Sequence, residues 1–162
     1  MAQVVIALGS NLNNPHQQLK KAAEFLEGLS EQPILTSSIY QSEPIGPSEN
    51  DYLNGVIIIE TNLYPDLLFA RLKAQEQVQG RPSRYPKWTA RTLDLDIIAY
   101  GSLVLQTDSL IIPHAEYSGR LFVLLPLRDV LPDWVDPISA QPISDMINSA
   151  AKMSITQTTL HW

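Results

Sequence analysis

Two aspartates, Asp94 and Asp96 in the run Arg91-Thr92-Leu93-Asp94-Leu95-Asp96-Ile97, follow directly on a segment that holds four of the chain's eleven cations. Along an extended strand alternate side chains share a face, so both carboxylates project one way while Leu93, Leu95 and Ile97 project the other. Two like charges that close are costly without a counter-ion. Oxygen-only carboxylate donors suit Mg²⁺, which takes one or two of them and completes its shell with water and substrate phosphates. Arg81, Arg84, Lys87 and Arg91 supply the complementary half of a polyphosphate site. A lone Asp-x-Asp is more often a solvated strand, and the adjacent basic run is what favours a site.

The elements that must position these groups can be read from periodicity. Val4 to Leu8 is an apolar run that stops at Gly9-Ser10-Asn11, a buried strand and a turn. Asn14-Pro15 looks like an N-cap and first helical position, and Leu19, Ala22 or Ala23, Leu26 and Leu29 recur at helical spacing. A strand is expected over 34–42, a Pro- and Gly-bearing loop over 43–51, and an Ile- and Val-rich strand over 52–61. Pro65 opens a second helix with Leu68, Leu72, Gln75 and Val78 along one side and Gly80 at its C′ position. A loop over 81–90 and the aspartate strand over 91–100 complete the order strand, helix, strand, strand, helix, strand, which suggests an α+β, ferredoxin-like βαββαβ sandwich. The remaining residues read as a C-terminal extension of short strands and helices: a strand at 103–105, a helix near 120–130, a Pro-rich turn region at 132–137, and a helix opening at Pro142.

Composition bounds the function. At 162 residues and 44% hydrophobic the chain fits one domain, 1–162. A net charge of −6 argues against a general nucleic-acid or membrane surface, so the basic cluster has a local anion to serve. With no Cys and three His, a thiolate metal site is excluded and zinc has few ligands. The first ten residues lack a basic leader, and no apolar run approaches the ~20 residues of a membrane span. A soluble, cytoplasmic monomer is the expectation.

The same element order describes an RNA-recognition module. Such modules are usually basic and stack bases on aromatic residues of their central strands. The strand from Tyr52 carries one aromatic, at its start. A scaffold domain of this topology is harder to set aside by periodicity, but it has no need of two facing carboxylates beside four cations. No Walker loop supports a P-loop kinase.

Gly9-Ser10-Asn11, Glu43-Pro44-Ile45-Gly46-Pro47, Tyr52-Leu53-Asn54, Gln79-Gly80-Arg81, the stretch from Arg91 to Ile97, Pro113-His114, and Arg120-Leu121-Phe122-Val123-Leu124-Leu125-Pro126-Leu127 fall in order and at compatible spacing. Together they resemble the 6-hydroxymethyl-7,8-dihydropterin pyrophosphokinase family over most of the chain, most specifically in the arginine-to-aspartate stretch. The resemblance implies transfer of the terminal diphosphate of ATP to the pterin hydroxymethyl group with release of AMP, in folate biosynthesis. It implies two Mg²⁺ on Asp94 and Asp96, with Arg81 and Arg91 sharing the catalytic work. It implies ATP contacts from Glu76, Arg81, Arg84, Lys87, Arg91, Ile97, His114 and Arg120. For the pterin it implies Tyr52 and Phe122 as the stacking pair, Asn54 as amide partner, backbone from Ser42, Pro44 and Ile45, and Trp88 in a loop that closes over both substrates. Taken without the resemblance, Phe122 reads as core, Tyr52 as a strand-start aromatic, His114 as structural, and Glu76 equally well as a surface helix carboxylate.

The chain departs from the family pattern in the basic loop. Arg81 is followed by Pro82-Ser83-Arg84, which displaces the second arginine by one, and Lys87 stands where an arginine is common. Lysine keeps the charge and loses the bidentate fork. Ser109 and Ala115 replace an arginine and an aromatic found in some members. These changes leave the acid pair and pterin residues in place.

Overall fold

A computed structural model describes residues 1–44, 50–80 and 92–162. Strands β1 (Ala2–Ser10) and β4 (Tyr52–Thr61) are central to the antiparallel sheet, and both carry near-continuous apolar runs because both faces are covered. They pair from Ala2↔Thr61 to Ser10↔Leu53. Strand β5 (Asp94–Tyr100) lies on the other side of β1 and sets Asp96 opposite Ala7 and Asp94 opposite Gly9. Beyond β4 come β3 (Tyr40–Ser42) and then β8 (Ile155–Gln157), giving the order β5-β1-β4-β3-β8, with β2 (Leu35–Thr36) pairing β4 off this path.

One face of the sheet packs on α1 (Pro15–Leu29) and α2 (Pro65–Val78), through Val4, Ile6, Leu8, Ile57, Ile59, Leu95 and Ile97. The opposite face packs Val5, Val56, Ile58 and Ile98 on α3 (Leu121–Val130) and α4 (Ile143–Ser149). The hairpin β6 (Leu105–Gln106) and β7 (Ile111–Ile112) leads to a cis Ile112–Pro113 peptide and His114, whose backbone N–H donates to Ile98 O at 2.9 Å.

Several expectations need correction. The strand expected over 34–42 is two short pieces. At Ser37 the ladder changes character: its N–H donates to Val56 O, but the Val56 N–H is taken by Ser37 Oγ at 2.9 Å, which frees Ser37 O for the indole N–H of Trp162 at 2.7 Å. Asn14 precedes α1 with φ 64° and makes no side-chain cap, so Pro15 alone marks the helix start. In α2 the buried stripe is Leu68, Leu72 and Glu76, whereas Val78 is 77% exposed. Gly80 does follow the helix end with φ 111°, the left-handed conformation that suits glycine at C′. The C-terminal extension also does more than extend: α3 and α4 pack on the second sheet face and β8 joins the sheet.

Asp129 fastens α3 to β3, accepting the Tyr40 hydroxyl at 3.0 Å and Ser38 N–H at 3.2 Å. Burial and this bond push the Tyr40 hydroxyl up to about 12. Asp136 fastens the segment before α4, accepting the Tyr117 hydroxyl and the backbone N–H groups of Ile138 (3.1 Å) and Ser139 (2.7 Å). Burial works against its charge, but the hydrogen bonds from Tyr117, Ser139 and Ile138 outweigh it and hold the carboxyl below the usual range. A pKa lowered by folding contributes stability that is present above the unfolded value of about 3.9 and is lost as pH falls through the folded value. Asp136→Asn keeps one carbonyl oxygen for Ile138 and Ser139, which share Oδ2, but turns an amide N–H₂ toward the Tyr117 hydroxyl and removes the charge that strengthens all three bonds, so it is expected to cost about 2 kcal/mol at neutral pH. The variant should also show a shallower acid-side loss of stability than the parent. Urea midpoints at pH 7 and pH 3 check both, and an unchanged pH 7 midpoint would contradict the assignment.

Candidate active site

The acid strand ends at a cleft lined by Ala7, Gly9, Ser42, Glu43, Tyr52, Asn54, Asp94, Asp96, His114, Arg120 and Phe122. Strand alternation brings the acids here, since Leu95 and Ile97 are buried toward α2 while Asp94 and Asp96, both half-buried, face the α3 side. Their neighbours on β1 are Ala7 and Gly9, so the floor between the acids and β4 is nearly bare. A Cβ built on Gly9 meets Asn54 Oδ1 at 3.3 Å and Tyr52 Cδ1 at 3.7 Å, so the absence of a side chain leaves that space open.

Asn54 has a fixed orientation. Its Nδ2 donates to Ser42 Oγ at 2.7 Å, across the β3–β4 pair, which leaves Oδ1 facing Gly9 as an acceptor. Glu43 beyond it is held by Ser154, the residue before β8: its N–H donates to Ser154 O and its carboxylate accepts the Ser154 N–H. On the far wall Arg120 and Phe122 start α3, with the guanidinium 5.6 Å from the Phe122 ring centroid and paired to Glu116. A cation on one ring face leaves the other face for a flat ligand.

His114 faces the acids with Nε2 4.0 Å from Asp96 Oδ2. Its Nδ1 accepts the Glu116 N–H at 3.2 Å, so Nε2 carries the ring proton and points toward anionic groups. Burial and the charge of Asp94 push the Asp96 carboxyl above its ordinary range, and Lys73 and His114 pull it back. Among the described residues no three His, Asp or Glu converge as a metal cage. Two oxygen donors at an open cleft suit Mg²⁺, which keeps coordination sites for water and phosphate.

Glu76, which the sequence left as either a nucleotide contact or a surface carboxylate, is 2% exposed. It accepts the Leu95 N–H at 2.7 Å, and Lys73, one turn earlier, donates to Leu95 O at 2.8 Å. Side chains of α2 thus satisfy both backbone groups of Leu95 at the edge of the sheet, in place of a further strand. Lys73 was not singled out from the sequence; the signal was its i,i+3 spacing to Glu76. Burial works against the Lys73 charge, but Asp96, Glu76 and Asp94 outweigh it and hold its pKa above the ordinary value.

Of the residues expected at the site, Ser42, Tyr52, Asn54, Asp94, Asp96, His114, Arg120 and Phe122 line this one cleft. The Ile97 side chain does not: it is buried among the apolar residues on the other face of β5. Glu76 stands behind the strand rather than in the lining. Pro44 is not in the lining and follows Glu43, which is. Ile45, Arg81, Arg84, Lys87, Trp88 and Arg91 lie outside the described residues.

The cleft thus sets two carboxylates, an imidazole and a guanidinium beside an aromatic wall. A family model described as 7,8-dihydro-6-hydroxymethylpterin-pyrophosphokinase (HPPK) matches residues 5–132, and the chain belongs to that family. It is 42% identical over 153 residues to the 2-amino-4-hydroxy-6-hydroxymethyldihydropteridine pyrophosphokinase of Haemophilus influenzae, covering 93% of this chain and 94% of that one. With the Pseudomonas aeruginosa protein of the same name it shares 42% over 133 residues, 81% of this chain and 82% of that one. Among solved structures, a chain described as "Crystal Structure Analysis of the HPPK-DHPS in complex with substrates" aligns over 91% of this chain with a TM-score of 0.69 and 14% identity, a likeness of fold. This chain spans 43% of the length of that one.

Proposed function

We propose that the cleft binds 6-hydroxymethyl-7,8-dihydropterin beside the triphosphate of ATP, and that the chain transfers diphosphate from ATP to the pterin hydroxymethyl group, releasing AMP, as a step of folate biosynthesis. The observation that carries this reading is the meeting, in one cleft, of the Asp94–Asp96 pair with the Ser42–Asn54 amide link and the Phe122 ring. The alternative of an RNA-recognition module finds no support: the strand from Tyr52 offers one aromatic, and Val56 and Ile58 further along it are buried against α3 and α4.

The pterin is a flat bicycle with donors and acceptors along one edge. Phe122 offers the ring face that Arg120 does not occupy, Tyr52 offers the opposing surface, and Asn54 Oδ1 accepts from the pterin edge. The hydroxymethyl oxygen forms the new bond to the β-phosphorus. The bond from that phosphorus to the α,β-bridging oxygen breaks, the leaving group is AMP, and the hydroxymethyl proton is released. Such transfers depend mainly on positioning and on neutralising phosphoryl oxygens. The Nε2–H of His114 and the guanidinium of Arg120 are donors suited to those oxygens. Asp94 and Asp96 would hold two Mg²⁺, whose charge would offset that of the triphosphate. Arg81, Arg84, Lys87 and Arg91 would close on the nucleotide, with Trp88 as part of the lid.

We read residues 1–162 as one domain, its βαββαβ portion as ferredoxin-like, acting as a cytoplasmic monomer without nucleic-acid or membrane partners. Among the described residues no helix is long and apolar enough to cross a membrane.

Phe122→Ala should weaken pterin binding by roughly 1 to 3 kcal/mol if the ring is a stacking face. An unchanged dissociation constant would contradict that placement. The reading as a whole is tested by calorimetry with a non-hydrolysable ATP analogue, Mg²⁺ and then pterin. Metal-dependent binding of both ligands is expected, and failure of the pterin to bind under any order of addition would overturn it.

A further inference from the structure

Lys73 belongs to the helix face opposite the cleft, yet its ammonium reaches round the edge of β5. It lies 3.0 Å from Glu76 Oε2, 2.8 Å from Leu95 O and 3.5 Å from Asp96 Oδ1, with the Phe69 ring centroid 5.4 Å away. An ammonium has three N–H donors and no acceptor, and here three oxygens lie within reach of them. Among the described residues, the carboxylate of Asp94 and the imidazole of His114 also face this corner. Lys73 is thus a fixed, permanently attached cation whose charge is felt by three carboxylates. Its side chain is 31% exposed and that of Asp96 29%, so the pair sits at the margin of the cleft rather than sealed inside the core.

A fixed ammonium beside a carboxylate has two consequences. It supplies the counter-charge that keeps Asp96 aimed while the cleft holds nothing else, and it repels a divalent cation that approaches the same oxygens. Substrate phosphates, which carry their own negative charge and bring coordinated metal with them, offset that repulsion. We propose that Lys73 is a positioning residue that acts as a built-in counter-ion, holding Asp96 in place in the empty cleft and keeping divalent cations weakly bound there until nucleotide phosphates arrive. This inference rests on the reading of Asp94 and Asp96 as metal ligands.

The test is a Mn²⁺ titration of the nucleotide-free full chain, followed by the electron paramagnetic resonance signal of free Mn²⁺. Lys73→Met keeps the length of the stem and its packing on Phe69 and removes the charge. It should bind Mn²⁺ on the order of tenfold more tightly than the parent, from the loss of one nearby like charge. Its thermal midpoint without metal should be lower than the parent's, and added Mn²⁺ should raise that midpoint further than it raises the parent's. Lys73→Gln, shorter and still able to donate to Leu95 O, should tighten Mn²⁺ in the same direction, which guards against a folding defect peculiar to methionine. Lys73→Arg retains the charge and should bind Mn²⁺ as weakly as the parent. Asp96→Asn combined with Lys73→Met separates the two readings. If that double variant loses Mn²⁺ binding while Lys73→Met alone binds no more tightly than the parent, the counter-ion role is overturned and the acid pair stands as the metal site. If the double variant still binds Mn²⁺ as Lys73→Met does, the acid-pair reading itself fails.

Discussion

Asp96→Ala is expected to lower turnover by on the order of 10³-fold, about 4 kcal/mol of transition-state stabilisation, while leaving the folded chain close to parental stability. The two halves of that expectation have different origins. Asp96 faces the cleft beside Asp94, with its carboxyl already pushed up by burial and by that neighbour, so removing it relieves a repulsion as well as breaking the 3.5 Å contact to Lys73. Lys73 keeps its bonds to Glu76 and Leu95 O, and Leu95 keeps its place in the sheet. Turnover, by contrast, loses half of the oxygen pair proposed to hold Mg²⁺ against the triphosphate. Rates of AMP formation at saturating Mg²⁺, read beside a thermal melt, check both halves. Near-parental activity would remove Asp96 from the mechanism, and loss of the cooperative melt would reassign it to the fold.

The largest expected effect on stability lies at Gly55, far from any reacting atom. A Cβ built there falls 2.4 Å from Cζ2 and 2.6 Å from Cη2 of Trp162, so any side chain must evict the indole. That ring packs on the α1-side core and its N–H is the partner of Ser37 O, while the neighbouring His161 carbonyl meets His16 Nε2 at 2.5 Å. Gly55→Val should therefore cost roughly 3 kcal/mol, the sum of lost aromatic packing and an orphaned carbonyl at the β2–β3 break. Trp162→Ala should cost a similar amount. The double variant should cost little more than either, because valine then fills the space the ring vacated and suits a central strand. Urea unfolding of the four proteins measures the coupling. Additive losses would show that the glycine and the indole act independently.

The residues that made the fold legible were those whose burial pattern has one cause. Val4 to Leu8 and Val56 to Ile59 are apolar because both sheet faces are covered, and Leu19, Ala22, Leu26 and Leu29 repeat because one helix side is. Where two demands met, the pattern misled. Glu76 occupies a buried helix position because the outermost strand needs a partner for the Leu95 N–H, and a helical wheel registers only that the position is polar. The interruption at Ser37 depends on Trp162, 125 residues later, and β8 is three residues long; neither leaves a local periodicity. At the site, the acids were visible because strand alternation is local, and the aromatic and amide partners because they sit in recognisable runs. Lys73 was hidden because a lysine three residues before a glutamate looks like a solvated helix pair, and only the tertiary placement of α2 against β5 turns it toward Asp96.

The cleft's base is made of main chain at Gly9 and of a single methyl at Ala7, directly across from the two acids. A surface of that kind has no rotamers to change and little substance to remove. Any exchange at Gly9 adds bulk within 3.3 Å of the Asn54 amide oxygen, so it would hinder the pterin proposed to bind there along with any competitor seated on the same floor. Inhibitors that press against this stretch of backbone should therefore meet fewer escape substitutions than those that lean on the Phe122 wall.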